Sequence, residues 1–355
     1  MKGILPVGPF DSAVRMTLLT ECEVEERVVA AASITRIATT GSLDLAFEGR
    51  TSREAAVLAS YSCARAAVHH AAALCEAVEE AQGIEVPDSD AAMRVVLSEW
   101  ARIASHLEVI SDLGLALEDD LVYGRPRRYV DRIRFAFEGM CRNPFGFGVL
   151  VPGGVEISGD LEAMDELSET AKALARDCGF WAGKLRMSRP RLAAGRIAGS
   201  DLPEGHPPAP AFRASGSSAD LRSGEDARGF YSELGYRPVR REGGTALDRA
   251  QVLLGEIVSS LELIEKVRRV GGECRGAPDV VAGGKGSSSG AWESPHGALE
   301  YRVLMGSEGR IMRVRVFGAA RDVADLSGRA LQGTAAEDVS ATIVSLNLCE
   351  RCMGD

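Results

Sequence analysis

The feature that most constrains the fold is a helical repeat that returns over long stretches of the chain. Between residues 88 and 117, Val95, Val96, Trp100, Ile103, Leu107 and Ile110 recur at three- and four-residue spacing, which lines one face of a helix. The Ala-rich run from Ser52 to Glu80 predicts a second long helix. Thr51 and Ser52 are good N-cap types although Ser52-x-x-Ala55 lacks a full capping box, Gly83 would close it, and Pro87 follows as a stop. Further helices are expected over about 127–140, 160–185 (capped by Ser158 or Asp160) and 246–270, with a last helix or turn at 339–346. Strand signals fall near the two ends. The stretch from Cys22 to Thr39 suits a hairpin, and 299–304 alternates with 311–317 around Gly306-Ser307-Glu308-Gly309.

The expected class is therefore α+β, predominantly α, in one integrated domain. It divides into an N-terminal β-containing segment (1–50), the first part of a helical core (51–198), an irregular Pro-, Gly- and Ser-rich connection (199–245), a core helix (246–270), a Gly/Ser-rich mobile loop (271–292), and a β-hairpin leading to the C-terminal cysteines (293–355). With 355 residues the chain can bury a substantial core. A net charge of −10 argues against nucleic acid as a partner, because phosphate neutralisation needs a concentrated basic surface. No apolar run approaches the length of a membrane span, and the opening Met1–Phe10 stretch is too short and too rich in Pro and Gly for a secretory signal. A cytoplasmic location is expected, with any membrane attachment made through partners.

In that compartment the eight cysteines are expected to be reduced thiols. Cys22, Cys75, Cys141, Cys178 and Cys274 each read as small buried hydrophobes. Cys349-Glu350-Arg351-Cys352 is different, because two thiolates three positions apart can grip one metal ion or form a redox pair. A zinc site normally needs a second pair, and no second CxxC exists. Cys63-Ala64-Arg65-Ala66, followed by His69, His70 and Cys75, is the other candidate; its plainer reading is an Ala-rich helix whose cysteines fill small gaps. Gly146-Phe147-Gly148 lacks the third glycine of a dinucleotide fingerprint, and Gly284-Lys285-Gly286-Ser287 lacks the upstream glycine of a P-loop.

Taken together, the two cysteine regions and what lies between them resemble the large subunits of group 4 [NiFe] hydrogenases and their counterpart in respiratory complex I, the D-type subunit. The family's CGxC, downstream His and CxAVExxxGIEVP helix are matched by Cys63-Ala64-Arg65-Ala66, His70, Cys75-Glu76-Ala77-Val78-Glu79 and Gly83-Ile84-Glu85-Val86-Pro87. Its ExxRIxSHL is matched by Glu99 to Leu107, and its RPGG by Val151-Pro152-Gly153-Gly154. Its RASGxxxDLR is matched by Arg213-Ala214-Ser215-Gly216 with Asp220-Leu221-Arg222. E-x-P-R-G appears as Glu293-Ser294-Pro295-His296-Gly297, and DPCxxC as Asn347-Leu348-Cys349-Glu350-Arg351-Cys352. Leu5-Pro6-Val7-Gly8-Pro9-Phe10 extends the match to the start of the chain.

The resemblance implies a hydrogenase-like helical core with small β elements near both termini. It places Cys63 and Cys349 at the terminal nickel ligands and Cys352 at one nickel–iron bridge, with Ala66 at the other. Asp11 stands where the GPxH His is usual, Asp44 where a proton-relay Glu is expected, and His296 at the PRG arginine. These three join the cysteines as catalytic candidates, while His70, Arg213 and Asp220 are candidates for cofactor binding. With Ala66 in place of one bridging thiolate, and no tail expected beyond Asp355 for a maturation protease to remove, standard hydrogen chemistry is expected to be lost. Three readings of the remaining thiols stay open. Cys63, Cys349 and Cys352 could hold a single thiophilic ion, zinc or a remnant of the Ni/Fe site, with Asp11, His70 or water as fourth ligand. Cys349 and Cys352 could instead act as a dithiol, or all three could be relics. The implied role is an electron-transfer subunit of a complex I-like or energy-converting complex on the cytoplasmic face of the membrane. Its implied partners are a small iron–sulfur subunit, ion-translocating membrane subunits and, as a candidate acceptor, quinone. A silent scaffold is the rival reading, and an active hydrogenase the third.

Overall fold

The structure, a computed structural model, describes residues 2–7, 18–36, 44–157, 162–224, 227, 229–270 and 285–354. Three strands, β1 (Lys2–Val7), β2 (Leu18–Glu25) and β3 (Val28–Arg36), form an antiparallel sheet with β2 central. The β2–β3 hairpin turns through Glu26 and Arg27, both at positive φ, as a two-residue hairpin turn matching strand twist requires. Cys22 and Val29 pack there on Leu331, Val339 and Ile343 near the other end of the chain.

Helices α1 (Asp44–Phe47) and α2 (Ser52–Ser60) follow. Thr51 caps α2 with a complete box: its side chain accepts from Glu54 N, and the Glu54 carboxylate accepts from Thr51 N at 2.9 Å. The expected single helix from Ser52 to Glu80 is in fact two. The backbone leaves helix before Cys63, which is extended, makes one 3-10 turn over Ala64–Ala66, and resumes as α3 (Ala67–Gln82). No Gly or Pro marks this break; tertiary packing overrides the Ala-rich propensity. Gly83 ends α3 in the left-handed conformation, and α4 (Asp88–Ala116) starts directly after Pro87.

Asp119 caps α5 (Asp120–Cys141) through Leu121 N and Val122 N, so this helix begins before the 127 expected and carries Pro126 inside it. Strands β4 (Leu150–Val151) and β5 (Gly154–Val155) form a small hairpin over Pro152 and Gly153. Helix α6 (Glu162–Met187) covers the described part of the expected 160–185 span; Ser158 and Asp160, its predicted caps, lie outside the described residues. Next come α7 (Arg189–Leu192), α8 (Pro210–Arg213) and α9 (Tyr231–Leu234). The last two lie within the irregular 199–245 stretch, which threads Phe212, Arg213, Arg222 and Tyr231 into the interior.

Helix α10 (Ala246–Val270) matches its predicted bounds. Strand β6 (Gly286–Ser294) occupies part of the stretch expected to be a loop. It pairs antiparallel with β7 (Gly297–Met305), which pairs with β8 (Ile311–Gly318). Helix α11 (Ala320–Leu331), which sequence reading missed, and α12 (Val339–Ser345) lead to the terminal cysteines. Helix α4 lies against α5 and α10, while α3 lies on β6 and β7. The small side chains of α3 allow that close approach: a Cβ on Gly290 of β6 would sit 2.3 Å from Ala73 O. Among the described residues no helix is long and apolar enough to cross a membrane.

Candidate metal centre

Two backbone features bring the distant cysteines together. The break before α3 turns Cys63 inward, and α12 ends with Asn347 in the left-handed conformation (φ 52°), which directs Leu348 and Cys349 back toward it. A 3-10 turn then returns Cys352, whose N–H donates to Cys349 O at 3.1 Å. The sulfurs of Cys63 and Cys349 end 3.5 Å apart. Ligand atoms of Cys63, His296, Cys349 and Cys352, all buried, lie within 4.8 Å of one another. This cluster could bind a metal ion.

The thiols are inequivalent. Hydrogen bonds from Cys352 and Cys63 hold Cys349 well below the ordinary thiol range. The same bond to Cys349 pushes Cys63 up, and burial pushes Cys352 up. Around the trio, His70 Nε2 lies 3.4 Å from Cys352 Sγ and its Nδ1 lies 2.7 Å from the Tyr301 hydroxyl. Burial lowers His70 to about 4, so the ring is neutral. His296 Nδ1 lies 2.9 Å from the Asn347 carbonyl, and its Nε2 is buried with no hydrogen-bond partner. Asn347 is fixed in turn by donating from Nδ2 to Pro295 O at 2.8 Å and accepting from Arg65 Nη2 at 3.4 Å.

Arg213 and Asp220 are ion-paired at 3.3 Å in a separate buried network. It joins Arg102, Arg213 and Arg222 to Glu99, Asp220, Glu256 and Glu293, with His106 on Glu256 at 3.0 Å. Tyr231 and Ser260 donate to Glu99. The network reaches the thiol cluster through the backbone, since Arg102 donates to the carbonyls of Glu293 and Ser294. The side chain of Asp44 and the whole of Asp11 lie outside the described residues.

No family model matches the chain. Sequence relatives do. Membrane-bound hydrogenase subunit alpha of Pyrococcus furiosus is 26% identical over 333 residues, covering 83% of this chain and 74% of that protein. The D-type subunit of the NADH-quinone oxidoreductase of Desulfitobacterium hafniense is 25% identical over 293 residues, covering 79% and 78%. Among solved structures, a chain of the membrane-bound sulfane sulfur reductase, an archaeal respiratory membrane complex, matches with a TM-score of 0.88 at 21% identity, over 99% of this chain and 98% of that one. The chain is a distant homologue of the family that unites membrane-bound [NiFe]-hydrogenase large subunits with the D-type subunits of complex I.

The fold expected from the resemblance is the one observed, but the full nickel–iron centre of that family does not fit these residues. Ala66, which the resemblance puts where that family has its fourth thiolate, is fully buried, and a methyl group has no lone pair for a metal. Of the fourth ligands suggested for a single ion, His70 contacts the cluster at Cys352, whereas His296 is the residue grouped with the three sulfurs. Sequence reasoning missed Tyr301 and Glu256. Tyr301 occupies an inward position of the alternating β7 strand, which was the available signal.

Proposed function

We propose that this chain is a subunit of a complex I-like, membrane-bound-hydrogenase-related respiratory complex, in which it serves electron transfer and has lost standard nickel–iron hydrogen chemistry. The observation that carries the reading is Ala66, fully buried in the turn after Cys63, its N–H donating to Cys63 O at 3.1 Å, where the resemblance puts a fourth thiolate. In this role the chain pairs with a small iron–sulfur subunit whose cluster faces the thiol pocket. The pocket would hold at most one thiophilic ion, so electrons pass from the partner's cluster to an acceptor rather than through a bimetallic centre. Attachment to the cytoplasmic face of the membrane comes through ion-translocating partner subunits. The relatives' names supply the acceptors to try: quinone for the NADH-quinone oxidoreductases and sulfane sulfur for the solved complex.

The test is made on the complex purified from membranes through a tag on this chain. An iron–sulfur subunit should co-purify, and its reduced cluster should be reoxidised by a quinone or by polysulfide, followed by electron paramagnetic resonance. Hydrogen should reduce neither the cluster nor an added dye. Hydrogen-dependent dye reduction would overturn the loss of hydrogen chemistry. Co-purification without reoxidation by either acceptor would replace electron transfer with a scaffold role.

A further inference from the structure

We propose that Cys63, Cys349, Cys352 and His296 form a closed Cys3His site for one divalent cation of tetrahedral preference, zinc being the best fit, with His296 bound through Nε2. The inference rests on the reading that the thiol pocket keeps one ion. Its test reads the ligand set and not electron flow, so either reading can fail alone.

The geometry is close to assembled. Zinc–sulfur bonds of about 2.3 Å place tetrahedral ligands roughly 3.8 Å apart. The Cys63 and Cys349 sulfurs are already 3.5 Å apart, and all four ligand atoms fall within 4.8 Å. The imidazole is prepared for the task. A carbonyl can only accept, so the 2.9 Å contact with Asn347 O fixes the proton on His296 Nδ1. The lone pair therefore resides on Nε2, which is buried and has no other partner. A carbonyl holding the far nitrogen is the usual outer support of a metal-bound histidine. The sulfur side has its own support. With His70 Nδ1 accepting from Tyr301, its Nε2–H faces Cys352 Sγ at 3.4 Å and would donate to that sulfur once an ion holds it as a thiolate.

The sequence changes at two positions in a compensating way. Ala66 removes one thiolate, and His296 adds one neutral nitrogen where the family has arginine. Three thiolates and an imidazole suit a d10 ion, which accepts the tetrahedral arrangement the ligands offer, and leave no open position for substrate. Such an ion would clamp the C-terminal segment to the start of α3 and carry no electrons. Arg65, two residues after Cys63, donates to Asn347 Oδ1 at 3.4 Å and so ties the same two segments from the protein side.

The complex is purified under reducing conditions for elemental analysis and zinc-edge X-ray absorption, and a cobalt-substituted sample is taken for optical spectra. Expected are about one zinc per chain beyond any in partners, a shell of three sulfurs near 2.3 Å and one nitrogen near 2.0 Å, and tetrahedral cobalt bands with thiolate charge transfer. His296→Gln should keep the three sulfurs, lose the imidazole scattering, and weaken zinc at least 10-fold in chelator competition. Cys141→Ala, at a buried thiol outside the cluster, should change neither. Less than about a tenth of an equivalent of metal would overturn the proposal. So would a Cys63–Cys349 disulfide by mass spectrometry, or an imidazole signal that survives in His296→Gln. If that variant does not fold, the wild-type absorption and cobalt spectra decide alone.

Discussion

At the scale of single residues, Asn347 has the most demanding position. It takes the left-handed conformation that ends α12, presents its carbonyl to His296 Nδ1, and uses both side-chain atoms. An aspartate, the residue usual at this family position, would accept the left-handed backbone equally well. It would nevertheless put a second acceptor where Nδ2 now donates to Pro295 O, and a tighter bond to Arg65 offsets this only in part. Asn347→Asp is expected to lower stability by about 1–3 kcal/mol. Thermal unfolding of wild type and variant in the same buffer checks it, and equal midpoints would show that the amide is not needed as a donor.

At the scale of elements, what was legible in the sequence depended on how local each signal was. Helix α10 and the strands β7 and β8 follow from periodicity and turn chemistry, and were readable. The break before Cys63 was not, because Ser60-Tyr61-Ser62 contains no breaker and the reason for it lies about 286 residues away at Cys349. The role of His296 was unreadable for the same reason: its proton is placed by the carbonyl of Asn347. Among the cysteines, only the pair at 349 and 352 announced itself by spacing; Cys63 needed the resemblance. The contact between α3 and β6 is of this non-local kind and can be tested with glycines. A Cβ on Gly290 would lie 2.3 Å from Ala73 O and 2.4 Å from Ala77 N, both backbone atoms that cannot swing aside. Gly290→Ala is expected to cost about 3 kcal/mol. In α5 a Cβ on Gly124 would meet nothing within 4 Å, so Gly124→Ala should stabilise by about 0.5–1 kcal/mol. Urea midpoints at constant slope check the pair, and changes of the same sign would contradict the packing described.

At the scale of the whole molecule, the buried ion network makes stability depend on pH in two opposing ways. Three guanidiniums (Arg102, Arg213, Arg222) face four carboxylates (Glu99, Asp220, Glu256, Glu293), so the cluster accommodates one proton. Burial, followed by repulsion from Asp220, pushes Glu293 up to about 7 even though Arg213, Arg222 and Arg102 oppose it. Burial lowers His106 to about 4 despite its bond to Glu256. An unfolded glutamate titrates near 4.3 and an unfolded histidine near 6.5. Between about 4.3 and 7 native Glu293 keeps a proton that the unfolded chain has released, so its contribution falls as pH rises through that window. His106 acts in the opposite sense. Below about 6.5 the unfolded chain takes up a proton that the native ring refuses, so stability is lost as pH falls toward 4. In their shared window the two slopes cancel. Glu293→Gln removes the falling limb and leaves the rising one. Relative to wild type, the variant should therefore gain about 3 kcal/mol between pH 4.5 and 8, as an order of magnitude. Urea unfolding at pH 4.5, 5.5, 6.5, 7.5 and 8 measures this. Parallel curves for the two proteins would mean that Glu293 is already ionised throughout the range, and that the proton of the network resides on another group.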